Sequence, residues 1–471
     1  MPPRRPNARW PSALLLLAAA ALVGWLGREH GLRFVDIVSF SRRARELSAG
    51  RPASDGLYPL GYPAMLAIGH AFGAPVLLTA RALSLVAAVL LVGLAGRRLG
   101  FAAAIWILAQ PVLLTWGATE GTDLLAASLS IGAVLLADRP VLAGICLGLA
   151  IDVRWTSAAW IPALWIVTAP RERLVAISAM TVGTLPHWMA CAWSGHLVFP
   201  DQGMNLAMAA GPGAPPQAAG TWAALTRIPS GLLRTTPIVL PDLATRASAA
   251  LLPLAAVFAA GRGDAEGARD RRLALALFVG GVLHTLALAA VFANPRLAVP
   301  ATLAALFGVA VAIRRLGRFG TSLRTLASGG LLGAAAAVFW FGLPGLRAPT
   351  PDERMAGELA SAFAEAKSPL PPGQVLANNP VAYTEADGWL VPSVNLGGLY
   401  VTPRTTPEEL ARLADEHGLG VLVLDATRSE RDYAGLHALF AAKEPEVGGW
   451  TRVSASIWRV WVRPTAASAP R

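Results

Sequence analysis

Charge is what this chain of 471 residues has least of: 15% of them are Asp, Glu, Lys or Arg, against about 25% in an average soluble domain. With 54% hydrophobic residues and a mean hydropathy of +0.51, that shortage excludes a soluble globular protein and points to an integral membrane protein. Cysteine is nearly absent as well. Cys146 and Cys191 are the only two, both inside apolar segments, so no disulfide or zinc framework is available. Lys367 and Lys443 are the only lysines, which leaves the positive charge almost entirely to arginine.

The net charge of +11 is unevenly distributed. Residues 1–349 hold 29 Arg and 14 Asp+Glu, a net of +15, whereas residues 350–471 are net −4. Arginine clusters between apolar runs are topology signals or lipid-phosphate contacts, not the continuous basic face of a nucleic-acid binder, so nucleic acid is set aside as a partner and membrane lipids take its place.

Apolar runs of membrane length or nearly so fall at 12–27, 75–96, 101–117, 122–137, 141–152, 155–169, 174–193, 247–260, 273–293, 297–313 and 325–345. They predict a polytopic α-helical protein of about eleven transmembrane helices. The first run follows a basic start, as a signal peptide would. Trp10 and Trp25 bound it as interface anchors and no small-x-small cleavage site follows, which favours an uncleaved helix. With the N-terminus inside, the inside loops include "GRRLG", "DRP", "PRER", "GRGDAEGARDRR" and "RRLGRFGTSLR", a strongly basic set. The opposite face receives the first loop, 28–74, the turn "GATEGTD", "DVR", the loop 194–246, "NPR" and the C-terminal portion. That orientation predicts a multi-pass protein of the inner (plasma) membrane with its C-terminus outside the cytoplasm.

Residues 350–471 read as a soluble extracytoplasmic α/β domain following a membrane domain of residues 1–349. "TTPEELARLADEHG" predicts a helix with Thr406 as N-cap, Pro407 in the first position and Gly418 as its stop. "LGVLVLD" at 419–425 reads as a buried strand, "YAGLHALFAA" as a second helix, and "TRVSAS" with "IWRVWVRP" as a closing hairpin.

Acids beside a membrane are costly unless they face water or a partner. Five lie at or near helix ends on the outer side: Asp36, Asp55, Glu120, Asp123 and Asp152. Asp36 precedes Phe40, Ala44 and Leu47 at helical spacing, with Gly50 as a stop, so an interfacial helix is expected with Asp36 in its first turn. A simple partner for that helix's dipole, aided by Arg42 or Arg43, is one reading of Asp36; a functional acid is the other. Further on, Pro59 and Pro63 are expected to prevent a regular helix until after residue 63, and Tyr58 and Tyr62 suit an interfacial re-entry turn.

An ordered set of motifs resembles the GT-C integral-membrane glycosyltransferases, in the bacterial branch related to protein O-mannosyltransferases and aminoarabinose transferases. The set runs from Asp36 to Gly50 as D-x3-F-x3-A-x5-G, then "YPLGYPAMLA" at 58–67 and "ARALSLVAAVLL" at 80–91. "QPVLLTWGATEGTDLLAASLSIGAVLL", "LAGICLGLAIDVRWTSAAWIPAL" and "NPRLAVPA" follow in order. Leu60 interrupts the double proline usual in the second motif, Phe40 and Leu297 stand where tyrosine is common, and Ile37 where a second acid is.

The resemblance implies a glycosyltransferase that takes sugar from a polyprenyl-phosphate donor to a lipid-linked glycan, polysaccharide or protein outside the cytoplasm. No cofactor is required, and no phosphate-cradling glycine loop for a nucleotide is present. Asp36 would be the general base, and the phosphate leaves with inversion. Arg296, Arg154 and Arg81 are the candidate phosphate holders; Arg154 has pairing with Asp152 as its other reading, and Arg81 has snorkelling to headgroups. Glu120 and Asp123, three apart and on one face if helical, are acceptor contacts or a divalent-ion pair, with N-capping the other reading for Asp123. Tyr58, Tyr62 and His187 complete the substrate-facing set, although a lone histidine also reads as a structural group. The competing class is a transporter or flippase of a polyprenyl-linked or amphipathic substrate, which predicts internal repeats and interrupted midplane helices.

Overall fold

In the computed structural model, residues 9–28, 36–50, 59–194, 221–258, 265–290, 295–316 and 320–349 are described, together with residues 354, 357–358, 361, 375–377, 393–395, 404–416, 420–426, 434–455 and 458–463. The chain divides into two units: Met1–Glu29 with Arg43–Ala348, and His30–Arg42 with Pro349–Arg471.

The first unit is a bundle of apolar helices: α1 (Arg9–Arg28), α3 (Gly61–Ala71), α4 (Val76–Leu99), α5 (Phe101–Leu108), α6 (Pro111–Gly117), α7 (Asp123–Leu135), α8 (Pro140–Val153), α9 (Ile161–Val167), α10 (Arg173–Gly183) and α11 (Leu185–Ser194), then α12 (Thr221–Val239), α13 (Leu243–Phe258), α14 (Ala265–Ala290), α15 (Val299–Leu316) and α16 (Thr321–Arg347). The expected amphipathic helix α2 spans Asp36–Ser48. The protein is a multi-pass membrane protein. Among the described residues four helices are long and apolar enough to cross a bilayer: Val76–Leu99, Pro170–Trp193, Gly267–Ala290 and Thr321–Arg347.

Several of the eleven apolar runs are divided, for visible reasons. Run 101–117 breaks at Gln110, because Pro111 has no N–H to continue α5 and instead starts α6. Run 155–169 opens as a 3-10 turn, Trp155–Trp160, before α9 begins at Ile161 and Pro162 takes its second position. Run 247–260 is the second limb of a pair, Leu225–Val239 and Leu243–Ala255, bent by 113°. The first limb, α12, lies inside what the sequence places in the outer loop 194–246. Pro229 and Pro237 inside it, with Arg227 and Arg234, dilute its apolar signal.

Helices α8 and α10 form the most extensive helix–helix contact. Glycine permits it. A Cβ at Gly148 would strike the Met180 carbonyl and the Gly183 backbone, and one at Gly183 would strike the Ile145 carbonyl and Gly148, so the two backbones touch as in small-residue membrane packing. Elsewhere polar groups join helices through backbone acceptors. Trp106 Nε1 donates to the Leu306 carbonyl at 2.9 Å, and Ser248 Oγ to the Ala305 carbonyl at 2.6 Å while accepting from Val309 N at 3.0 Å.

The second unit carries a six-stranded sheet, β1 (Val375–Ala377), β2 (Ser393–Asn395), β3 (Val421–Asp425), β4 (Glu446–Val447), β5 (Trp450–Ala455) and β6 (Trp458–Val462), in the order β2-β1-β3-β6-β5-β4. Pairing is parallel from β2 through β3 and antiparallel from β3 onward. Helix α17 (Pro407–Glu416) begins at the expected cap: Thr406 N donates to Glu409 Oε2 at 3.0 Å and Glu409 N to Thr406 Oγ1 at 3.3 Å, a reciprocal capping box. Gly418, its expected stop, lies outside the described residues. Helix α18 (His437–Ala441) and the β5–β6 hairpin occur where the pattern puts them. The core gathers Trp450, Trp461, Leu422, Leu424, Leu439 and Phe440, all buried.

The α8–α10 contact yields a test. Gly148→Val should lower the midpoint of thermal unfolding in detergent, at a cost of about 1–3 kcal/mol or more. Gly333→Val, where a Cβ meets open space among the described residues, should leave it unchanged.

Candidate active site

One end of the helix bundle collects the polar side chains that the apolar segments otherwise exclude. The start of α4, the turn before α7 and its first residue, the end of α8 and the first turn of α11 meet there, bringing in Arg81, Glu120, Asp123, Asp152, Arg154 and His187. Glu120, Asp123, Asp152, Arg154 and His187 are all buried. An ionised group in such surroundings persists only with a partner, and the partners can be named.

Arg154 Nη2 lies 2.6 Å from Asp123 Oδ1, and its Nε donates to Thr122 Oγ1 at 2.9 Å. Arg154 therefore pairs across to α7, not with Asp152 in its own sequence neighbourhood. Residues two apart at a helix end diverge, and Arg154 has already left the helix with an extended backbone. Asp123 is the first residue of α7, with Thr122 at the N-cap position and no side-chain cap bond. Its carboxylate thus serves the ion pair and not the capping role. Glu120 lies in the turn ahead of α7, so the two acids do not share a helical face. Its Oε2 meets Arg81 Nε at 3.4 Å, which places the Arg81 guanidinium on a buried carboxylate and not among headgroups.

Asp152 has a different task. Its Oδ2 accepts the backbone N–H of His187 at 3.0 Å, a donor in the first turn of α11 next to Pro186. One helix end thereby caps another from 35 residues away. The imidazole completes the connection: Leu60 N donates to His187 Nδ1 at 3.1 Å, which puts the ring proton of the neutral form on Nε2, facing Cys191 Sγ at 3.5 Å. Nδ1 also lies 4.0 Å from Asp152 Oδ1. Because Nδ1 already accepts a hydrogen bond, this is a spacing and not an ion pair. Trp155 packs edge-on to the same ring at 5.0 Å. His187 is accordingly held on both sides by neighbouring elements.

Leu60 and Gly61 are docked on this assembly by their backbone, and helix α3 already begins at Gly61, earlier than the prolines predict, because Pro63 falls in its first turn, where a missing N–H costs no helical bond. Gly61 lies directly on Asp152, and a Cβ there would overlap the carboxylate. Tyr62 is fully buried. Burial, then the nearby charge of Glu120, raises its phenol pKa, with the Gly121 backbone hydrogen bond pulling the other way, so Tyr62 is a neutral group against that acid. Arg296 stands half-buried in the turn before α15. His284 Nε2 bonds to the Leu297 carbonyl of the same turn at 2.9 Å. Asp36 opens α2, but its side chain and all of Tyr58 lie outside the described residues. Leu60, Gly61, Thr122 and the capping role of Asp152 escaped sequence reasoning. Asp152 stands out as one of the five outer acids, whereas a backbone donor such as Leu60 N leaves no side-chain signal.

Among the described residues no three His, Cys, Asp or Glu side chains are grouped to hold a metal ion. Glu120 and Asp123, the pair considered for a divalent ion, each face an arginine.

In fold the chain agrees with the GT-C architecture that the resemblance of the ordered motifs implies. The chain is similar in structure to ArnT from Cupriavidus metallidurans bound to undecaprenyl phosphate, with a TM-score of 0.62 and 16% identity over 99% of this chain and 100% of the other. The apo state of the same protein gives 0.58 and 14%, covering 98% and 99%. The apo oligosaccharyltransferase of Archaeoglobus fulgidus gives 0.51 and 14%, covering 89% of this chain and 70% of that one. No family model and no curated protein sequence matches the chain.

Leu60 offers a direct probe of this site. Leu60→Pro removes the N–H that His187 accepts and should cost about 1–3 kcal/mol of stability in thermal unfolding. Leu60→Met, which keeps both the donor and an apolar side chain, should cost far less; equal losses would show that the hydrogen bond contributes nothing.

Proposed function

We propose that this protein transfers a sugar from a polyprenyl-phosphate donor to an acceptor outside the cytoplasm, a lipid-linked glycan, a polysaccharide or a protein. The observation that carries the reading is the fold shared end to end with a protein solved bound to undecaprenyl phosphate. The gathering of buried acids and arginines at one end of the bundle supports it, since a reaction centre at a lipid phosphate needs fixed charge at the membrane surface.

In this mechanism the acceptor hydroxyl oxygen attacks the anomeric carbon and the bond from that carbon to the phosphate oxygen breaks, so the configuration inverts. The acceptor proton passes to the Asp36 carboxylate, and the departing polyprenyl phosphate keeps the electron pair of the broken bond. Arg296 is the favoured phosphate holder. Arg81 and Arg154 are each committed to a carboxylate, which suits them to setting the field and position of Glu120 and Asp123 more than to following the leaving group. Asp123 remains the favoured acceptor contact, with Tyr62 beside Glu120.

A transporter draws on the bent pair α12–α13, the feature closest to an interrupted helix. The break, however, is a capped turn: Thr245 N donates to Asp242 Oδ1 at 2.8 Å and Asp242 N to Thr245 Oγ1 at 3.3 Å. Its polar groups satisfy each other and not a substrate.

The decisive assay supplies proteoliposomes with radiolabelled polyprenyl-phosphate sugars and extracted envelope acceptors. Wild type should transfer label, and Asp36→Asn should transfer it about 10²–10⁴-fold more slowly. Undiminished transfer by the variant would remove Asp36 as base, and no transfer by wild type from any donor would contradict the proposed activity.

A further inference from the structure

The other end of the same helices holds a cavity that the transferase reading does not use. It measures about 580 Å³ and is lined by six arginines against three carboxylates. Helix α4 carries both poles: Arg81 and Arg97 are sixteen residues apart, about 24 Å along the axis. The arginines come from connections that are distant in sequence: the end of α4, the 3-10 turn Pro170–Glu172, the first part of α14 and the end of α15.

Part of this charge is neutralised internally. Arg98 Nη1 donates to Asp138 Oδ2 at 2.9 Å, Arg269 Nη2 lies 3.3 Å from the same oxygen, and Arg314 Nε lies 3.2 Å from Asp270 Oδ1. Slight burial acts to raise the Asp138 pKa, yet the hydrogen bond and charge of Arg98, then Arg269, carry it below the ordinary carboxylate value. Glu172 is the third acid of the lining. Arg97, Arg171 and Arg272 remain, and no carboxylate among the described residues pairs with them. Topology alone asks for arginines on this side, but it does not ask that four segments distant in sequence turn them into one concave surface.

A concave site with an excess of three guanidinium groups selects an anion, and the planar forks of arginine suit phosphate oxygens. The volume is that of a small-molecule site. Val134, Leu135, Val167 and Leu273 line it as well, giving the polar cavity an apolar wall at the ends of membrane helices.

We propose that this cavity binds a phosphate group, presented by the headgroup of an anionic phospholipid or by a soluble phosphorylated compound. The chemistry is the same in either case, and basic pockets between membrane helices are suited to lipid headgroups. The site is separate from the proposed donor site, which lies at the other pole, and does not depend on that reading.

The test uses the purified full-length protein in detergent and measures thermal unfolding with phosphatidylglycerol, phosphatidylcholine or inorganic pyrophosphate, the last against sulfate at equal ionic strength. Wild type should gain about 2–4 °C from phosphatidylglycerol, from pyrophosphate or from both. A response to the lipid alone assigns a headgroup; a response to pyrophosphate alone assigns a soluble ligand. The triple variant Arg97→Gln, Arg171→Gln, Arg272→Gln should lose the gain, which separates this cavity from any phosphate site at the other pole, and the triple lysine variant should keep most of it. If the glutamine variant fails to fold, phenylglyoxal labelling of wild type replaces it: the same ligands should slow modification of Arg97, Arg171 and Arg272 at least fivefold. No thermal gain, an equal gain in the glutamine variant, or unchanged labelling would overturn the proposal.

Discussion

A carboxylate buried among apolar helices has to be matched, and the match made for Asp123 organises one pole of this molecule. Leaving either partner of such a pair alone costs about 3–5 kcal/mol, so the Arg154–Asp123 contact fixes the end of α8 against the start of α7. With that end fixed, Asp152 is held where it caps α11, and α11 in turn presents His187 to the Leu60 amide. The chain that re-enters after the first loop is thus seated by a series of charge and backbone contacts. Arg81 on Glu120 closes the series on the side of α4.

The two poles solve the problem of charge in a membrane differently. At the first, Glu120 and Asp123 each meet an arginine and Asp152 meets a backbone donor, and all three acids are buried. At the second, arginines outnumber acids around an open cavity, so the imbalance is left for water or an anion to meet. The helices between them carry little charge and are packed by size, most closely where Gly148 and Gly183 let two backbones touch.

Much of this was legible in the residues. The apolar runs locate the helical segments, the Phe40–Ala44–Leu47 spacing anticipates α2, and Thr406 with Glu409 announces the capping box of α17. What the sequence hid has physical causes. Helix α12 contains arginines and two prolines that a hydropathy reading takes for loop, and Pro111 divides a run that composition leaves continuous. Asp152 stands nearest to Arg154 in sequence and was its alternative partner, whereas direction in space gives Arg154 to Asp123. The departure at Leu60 gives the chain a backbone donor that proline would lack, and only the fold reveals that His187 receives it.

The claim that the Asp123–Arg154 pair organises this pole is most directly tested by a double-mutant cycle in purified protein, following thermal unfolding of Asp123→Asn, Arg154→Met and the combined variant. Each single change should destabilise by about 3–5 kcal/mol, because it strands the other charge, and the double variant by much less than the sum. Additive losses would mean that the two residues act independently, and would contradict the account.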